Sequence, residues 1–375
     1  MFAFFTETRN VISNYLPAAC HYFLAFALSL HFKMWRWVLP LLLVSICVYC
    51  HGQPKFLRNN WQDRPLHSHY AQEIRRHLSN CSRNVVYHQF KNYGMGGDLH
   101  IWSQAICNAI GQESVLNMMP QQSWAWNDKK FCVGKETPVL ACYFNYANLC
   151  PEPRGRQEVI THLNELHRCP EYIYDMDSRF AFRAAAMEFL FSNLSSALIN
   201  ETEHAALKLF GPKGAPEHMI TVHIRWGDKS QEMRIVPIAT YISAVQLLIK
   251  EHNITSKPQI FLISESSDAR AEFIKEVSNS NLPWKVRYHE QPNSSDLSAN
   301  ERWPVRAAYV SEGATGLASL VSLLIALESK FFVLTTGSNW SRLINELRTN
   351  VVDVRCSNCT HMVDLQQAHK FHNWR

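Results

Sequence analysis

The second half of the chain alternates short apolar segments with helical segments, and this alternation limits the folds that the chain can adopt. Strands are predicted at residues 220–226, 259–264, 285–289 and 331–335, with a final strand near Val351. Helices are predicted between them at residues 239–251, 268–277, 317–329 and 339–348. Strands and helices that alternate in this way form a parallel, doubly wound sheet with helices on its two faces. The pattern therefore predicts an α/β fold.

The first half of the chain contains a similar but less regular pattern. A strand at residues 85–90 is followed by a glycine-rich turn at residues 92–100 and by a helix that reaches Ile110. Further helices are predicted at residues 156–167 and 178–198. The first half is therefore expected to contribute a second α/β unit.

The length of the chain predicts two domains, because 375 residues exceed what one compact core usually holds. A composition of 47% hydrophobic and 18% charged residues is typical of a globular protein. The loop at residues 212–216 separates the two patterns. We expect an amino-side domain at residues 84–212, with a disulfide-braced insertion, a second domain at residues 213–355 and a carboxyl tail at residues 356–375.

The amino terminus is predicted to direct the chain into the secretory pathway. It divides into a cytoplasmic extension at residues 1–33, an apolar signal anchor or signal peptide at residues 34–51 and a short polar stem at residues 52–83. Basic residues precede the apolar segment, which favours a type II single-pass protein in the Golgi or ER lumen. Secretion after signal cleavage is the alternative, and Met34 is an alternative start.

Cysteine usage agrees with an oxidising compartment. Eight cysteines follow residue 51, so four disulfides are possible. Cys356 and Cys359 are expected to pair with each other, because no second pair at zinc-ligand spacing lies near them in the sequence. Glycosylation sequons begin at several asparagines, of which Asn339 is expected to remain unmodified. The net charge of +5 suits an anionic ligand or membrane surface, but the sequence has no basic run that would indicate nucleic acid.

Residues 222–229 form the cluster of polar side chains that most clearly indicates chemistry. The end of an apolar strand carries, within seven residues, His223, Arg225, Asp228 and Lys229. Arginine offers a planar fork of donors to phosphate oxygens and lysine adds a compact charge, while ligands of open α/β sheets bind where strands end. A phosphorylated ligand is one interpretation. A solvated ion-pair turn, worth under about 1 kcal/mol, is the other.

Two further clusters have residue types that suit an anion. Gly94 and Gly96 precede a helix, so backbone amides and the helix dipole can face a phosphate, although such turns are also common without function. Residues 335–342 follow the strand at residue 331. There Ser338 either caps the next helix or forms a phosphate cradle with Asn339.

Taken together, the three clusters resemble those of the GDP-fucose-dependent fucosyltransferases of the α1,6 and nodulation type, with the protein O-fucosyltransferases as more distant relatives. The amino-side loop of that family resembles Gly94, Gly96 and His100, and its nucleotide-binding strand end resembles residues 223–229. Its late loop is similar to residues 335–342, and the order and spacing agree over residues 85–350.

The resemblance implies a GT-B-like fold in which two Rossmann-like domains face a cleft. It also implies an inverting, metal-independent enzyme that moves fucose from GDP-fucose to a glycan or glycoprotein acceptor in α1,6 linkage, with no other cofactor. The carboxyl-side domain would bind the donor. Arg225 would hold the β-phosphate, His223 would contact the nucleotide, and Ser338 with Asn339 would contact the diphosphate or fucose. The remaining donor-binding residues that it implies are Gly94, Gly96, His100, Trp226, Glu265, Ser322 and Arg342.

Four positions depart from the family pattern. Trp226 replaces a second arginine. Met233 occupies the place of the family's catalytic base, so Glu232 is the candidate base. Asp228 and Lys229 would orient the acceptor or relay its proton. Glu265 alone remains of an acidic pair. Ser322 replaces an aspartate that recognises guanine. Two alternatives therefore stay open: a lumenal transferase with another nucleotide-activated donor, and a non-catalytic glycan-binding member of the same fold.

Overall fold

The computed structural model describes residues 57–62, 64–120, 122–135, 138–146, 148, 150, 169–226, 234–290, 292 and 304–367. The chain divides into two compact units, residues 1–55 and residues 56–375. The first unit lies outside the described residues, as do the predicted signal segment and the predicted helix at residues 156–167. Across the ranges that are described, no helix combines the length and the apolar character needed to cross a membrane.

The amino-side part of the described unit contains a parallel β-α-β arrangement. Strands β1 (Val85–His88) and β2 (Val115–Met118) pair in parallel and are joined by helix α2 (Met95–Gly111). Helix α2 is buried on nearly all sides, which is consistent with its mostly apolar sequence. Three more helices belong to this part: α1 (His69–Leu78), α3 (Met176–Phe191) and α4 (Ser196–Phe210).

The carboxyl-side part contains a five-stranded parallel sheet in the order β5-β4-β3-β6-β7. Its strands are β3 (Met219–His223), β4 (Gln259–Ile263), β5 (Lys285–Arg287), β6 (Phe331–Leu334) and β7 (His361–Asp364). The helices between them are α5 (Ile238–Glu251), α6 (Ser267–Asn279), α7 (Pro304–Val310), α8 (Ala314–Ala326) and α9 (Asn339–Leu347). The predicted α/β fold with parallel sheets is therefore confirmed.

Successive strand residues point to opposite faces of the five-stranded sheet, and each face has its own core. Ile220 and Val222 of β3 pack with Phe273 of α6 on one face. Phe261 and Phe332 face the other core. This second core also contains residues of α8 and of both strands of the small sheet, so apolar packing is continuous between the two sheets.

Residues 57–83 do not form the predicted stem. Leu57, Trp61 and Leu66 are buried, and α1 packs into the core shared by the two sheets. The Ser68 hydroxyl accepts a hydrogen bond from the Ala71 amide and caps α1, which satisfies one of its free N–H groups. The prediction failed because the buried residues that precede α1 are isolated within a polar sequence and follow no period.

Other elements also differ from the sequence prediction. The expected helix at residues 178–198 is two helices, because Ser195 caps α4 through the Leu198 amide. Helix α7 was not predicted. The expected strand near Val351 is wrong, since Arg348–Asp353 forms a π-helical turn. The last strand is β7, so the predicted carboxyl tail supplies an edge strand of the sheet.

Four disulfides pair all eight cysteines that follow residue 51, and the predicted short-loop pair is among them. They are Cys81–Cys150, Cys107–Cys169, Cys132–Cys142 and Cys356–Cys359. Cys107 lies on the buried helix α2, so its disulfide connects the amino-side core to the chain before α3. Disulfides of this kind agree with folding in an oxidising compartment.

Loop length predicts that a disulfide closing a long loop contributes more to stability than the short-loop pair. The Cys107–Cys169 bond spans 62 residues and the Cys356–Cys359 bond spans three. Chain-entropy arguments give about 4 kcal/mol for the long loop and about 1.6 kcal/mol for the short one. Replacing both cysteines of each pair with serine should lower the free energy of unfolding in that order, measured by chemical denaturation. Equal losses would contradict this ranking.

Candidate functional site

Polar side chains from three strands meet at the carboxyl edge of the five-stranded sheet. His223 is the last residue of β3, Glu265 follows β4 and Thr335 follows β6. Because β3 lies between β4 and β6 and all three are parallel, these strand ends lie side by side. His223 and Arg225 thus lie at a strand end, where the sequence placed them, and His223 contacts Ser341 after β6.

His223 is fully enclosed at this edge. Its Nδ1 lies 2.6 Å from Ser341 Oγ, which itself accepts a hydrogen bond of 3.2 Å from the Thr335 amide. Burial, together with the charge of Arg225, lowers the pKa of His223 to about 3, so its ring is neutral. The Nε2 atom is buried without a hydrogen-bond partner among the described residues. When Ser341 donates to Nδ1, Nε2 carries the hydrogen and is a donor that a ligand can use.

Arg225 lies next to this histidine and is 7% exposed. It forms an ion pair with Glu265, and its NH1 atom donates to the Trp226 carbonyl at 2.8 Å. The Trp226 indole donates to the Val236 carbonyl at 3.0 Å. Trp226 therefore anchors the chain ahead of α5, and Glu265 and Arg225 belong to one charged group.

The hydroxyl of Tyr241 is enclosed in the same region. Burial raises its pKa to about 12, while Thr335 and the Arg225 backbone oppose that shift. Neither the Tyr241 hydroxyl nor Thr335 Oγ1 makes a hydrogen bond of good geometry within the described residues. Together with His223 Nε2, they are buried polar groups at one sheet edge, and such groups are costly unless they are satisfied.

The glycine-rich loop approaches this edge through the first turn of α9. A Cβ atom at Gly96 would lie 3.2 Å from the Asn339 carbonyl and 3.3 Å from the Trp340 amide nitrogen. Only glycine permits this approach without displacing backbone atoms. Gly94 occupies the N-cap position of α2 and provides no side-chain cap. The amino-terminal ends of α2 and α9 are thus adjacent, which brings the glycine-rich loop and the cluster at residues 335–342 together.

A buried charged network fixes the two helices against each other. His100 of α2 lies 3.2 Å from Asn339 Oδ1 through Nδ1 and 3.0 Å from Glu346 Oε2 through Nε2. Arg183 of α3 donates to Glu346 Oε1 at 2.5 Å. Arg342 donates to Asn339 Oδ1 at 2.5 Å. The network therefore joins α2, α3 and α9 and orients the Asn339 side chain.

The ionisation of this network follows from burial and charge pairing. Burial alone would raise the pKa of Glu346, but Arg183 and His100 lower it to about 2. Burial lowers the pKa of His100, and the neighbouring Glu346 opposes that shift. The carboxylate is thus ionised and balanced by Arg183, and His100 donates to it through Nε2.

Ser338 occupies the N-cap position of α9, but its side chain makes no capping hydrogen bond. The residue is 2% exposed, and its amide donates to the Thr335 carbonyl at 2.9 Å. Of the two interpretations of Ser338, side-chain capping of α9 is therefore wrong. The first amides of α9 have no capping side chain at this position, which is the arrangement that favours an anion.

Ser322, another predicted site residue, does not join the cluster. Ser322 is buried in α8 and donates to the Ala318 carbonyl of its own helix at 2.8 Å. Asp228, Lys229 and Glu232 lie outside the described residues. The group of metal-ligand types found in the described part of the chain contains Asp353, Cys356 and Cys359, where the disulfide removes the thiolates that a metal would need.

Sequence reasoning missed several residues that hold the site together. Glu346 could have been found, since Asn339, Arg342 and Glu346 are spaced by three and four residues and therefore share one face of α9. Asp98 also lay within the glycine-rich turn. It is buried, accepts hydrogen bonds from the Tyr93 amide and the Trp124 indole, and has a pKa that burial raises to about 6. Arg183 gave no signal in the sequence.

Neither of two comparisons with known proteins identifies a relative. The chain matches no family model, and no curated protein is significantly similar to it. The geometry of the site therefore carries the functional argument.

The buried neutral state of His223 predicts a pH dependence of stability. Its pKa falls from 6.5 when unfolded to about 3 when folded, so its contribution is present above pH 6.5 and is lost as the pH falls towards 3. We expect the free energy of unfolding to decrease with falling pH by up to about 1.4 kcal/mol per unit from this group. In His223→Asn this part of the pH dependence of the free energy of unfolding should disappear, measured by denaturation between about pH 7.5 and pH 5. Identical slopes in the two proteins would contradict it.

Proposed function

We propose that this protein is an inverting, metal-independent glycosyltransferase that moves fucose from GDP-fucose to a glycan acceptor in α1,6 linkage. The observation that carries the proposal is the convergence of three distant segments. Gly96, Arg225 and Ser338 belong to segments more than a hundred residues apart, and their segments meet around the start of α9. These are the segments that resemble the donor-binding motifs of the fucosyltransferases.

The chemistry of a sugar-nucleotide transfer agrees with the residues at this edge. Departure of GDP builds negative charge on the diphosphate as the sugar becomes cation-like. A fixed arginine in a water-poor site stabilises that charge strongly, because little reorganisation is needed. Arg225 is nearly buried and held by Glu265, so it has the position and the rigidity for this role.

The donor diphosphate would lie against the amino-terminal end of α9. Ser338 has a hydroxyl that the helix does not use as a cap, and Asn339 is oriented by His100 and Arg342. His223 would donate through Nε2 to an acceptor atom of the nucleotide. Asp228 and Lys229 would orient the acceptor sugar, and Glu232 would take its proton.

The cleft and the cellular location are part of the same proposal. The β1–β2 sheet and the five-stranded sheet would be the sheets of two Rossmann-like domains that face each other, as in a GT-B enzyme. The four disulfides support a lumenal or secreted protein. We propose a Golgi or ER type II membrane protein that acts on glycoprotein or glycan acceptors.

A transferase with another nucleotide-activated donor is the second candidate, and Ser322 favours it. Where the resemblance expects an aspartate that recognises guanine, Ser322 donates its hydroxyl to the Ala318 carbonyl. We expect GDP to bind more tightly than UDP, CMP or the nucleotide sulfate donor, measured by calorimetry. Preferential binding of one of the other nucleotides would support the second candidate instead.

Transfer itself tests the proposal most directly. The full chain, produced in a secretory host, should transfer fucose from GDP-fucose to a glycan array in the presence of EDTA. Arg225→Ala should lower kcat/KM by about a hundredfold or more, since removal of one donor to a developing anion costs this much in other enzymes. Arg76→Ala, which removes an exposed arginine of α1, is the matched control. Absence of both transfer and GDP binding, or full activity of Arg225→Ala, would refute the proposal.

A further inference from the structure

A second cleft lies at the opposite edge of the five-stranded sheet from the proposed donor site. It has a volume of about 720 Å³, and its lining includes Arg58, Phe210, Lys213, Glu217, Gln259 and Arg287. Gln259 is the first residue of β4, and residues 213–217 lead into β3. The five residues of β3 separate this amino edge from His223 by roughly 13 Å, at 3.3 Å per residue. The two sites are therefore distinct.

The wall of this cleft is formed by an arginine whose charge is already balanced. Arg58 donates to the Pro216 carbonyl at 3.2 Å and to the Glu217 carbonyl at 3.3 Å. Its Nε atom also lies 3.8 Å from the carboxylate of buried Glu328. These contacts fix the loop before β3 in place, and Arg58 acts as a rigid part of the cleft.

Two other cationic side chains line the cleft, and neither forms an ion pair within the described residues. Lys213 is exposed, and none of the described residues forms an ion pair with it. Arg287 lies with its guanidinium 5.6 Å from the centre of the Phe210 ring, and its Nε atom is buried without a hydrogen-bond partner among the described residues. A buried guanidinium nitrogen that lacks an acceptor is costly, so it favours a ligand that supplies one.

The charge of the lining also suits a compact anion. Gly214 allows the turn beside Lys213, because its positive φ of 69° is a conformation that glycine adopts without strain. Glu217 is the acidic residue of the lining, so cations exceed anions there. Arginine and lysine together match a tetrahedral oxyanion, in which several oxygens accept hydrogen bonds at once.

We propose that this amino-edge cleft binds a tetrahedral oxyanion group, a phosphate or a sulfate, carried by a small molecule or a saccharide. Arg287 and Lys213 hold the oxyanion, Phe210 supports the Arg287 guanidinium from behind, and Glu217 limits the affinity by repulsion. The site is independent of fucosyl transfer, because its residues lie at the edge of the sheet away from Arg225.

Binding of glucose 6-phosphate and glucose 6-sulfate to the full chain tests this site, with unsubstituted glucose as the negative probe and ligand-observed NMR as the measurement. We expect Arg287→Gln to weaken binding about tenfold and Lys213→Gln about threefold. Glu217→Gln should strengthen it. Binding of the phosphate ester alone identifies a phosphorylated ligand, and binding of the sulfate ester alone identifies a sulfated one.

Matched variants separate this cleft from the proposed donor site. Lys208→Gln removes an exposed charge of α4 outside the cleft and should leave binding unchanged. Arg225→Ala should also leave it unchanged, even if that variant loses transfer. Lys213 is an exposed loop residue, so its replacement tests the site without altering the core. Absence of binding by both esters, or binding that Arg225→Ala abolishes and Arg287→Gln does not affect, would overturn the proposal.

Discussion

The parallel pairing of β3 between β4 and β6 is the constraint on which the rest of the structure depends. Parallel strands place all their carboxyl ends at one edge and all their amino ends at the other, so side chains that are distant in sequence become neighbours. His223, Glu265 and Thr335 meet for this reason. The same pairing forms the opposite edge, where Gln259 and the loop before β3 line the second cleft.

The close approach of Gly96 to Asn339 adds the amino-side helix to this arrangement. A buried charged network stabilises this approach. An ionised Glu346 in the core needs the opposite charge of Arg183, so the network would become unfavourable if one of its members were missing. Shape and charge therefore act together at the contact between α2 and α9. Rigid positioning of this kind is what a site needs if its donors are to face a ligand without reorganising.

Local patterns were sufficient to predict most elements of the five-stranded sheet, because a strand buried on both faces has an apolar run that is visible in the sequence. They failed where burial depends on distant partners. Trp61 and Leu66 lie in a polar segment with no period, and the π-helical turn at Arg348–Asp353 contains the valines that had suggested a strand. Within the site, His223 and Arg225 were predicted from their position after a strand. Arg183 was not, because a single arginine in a helix carries no pattern.

The sequence by itself determined the α/β class, the pairing of Cys356 with Cys359 and the polar residues that end the strands, since each follows from short-range periodicity or spacing. The tertiary structure alone decided that the glycine-rich loop contacts α9, that Ser338 leaves its hydroxyl unused by the helix and that Arg287 Nε, beside Phe210, has no hydrogen-bond partner among the described residues. These features depend on side chains brought together from remote parts of the chain. Their energies come from burial and charge pairing, and a local sequence pattern predicts neither.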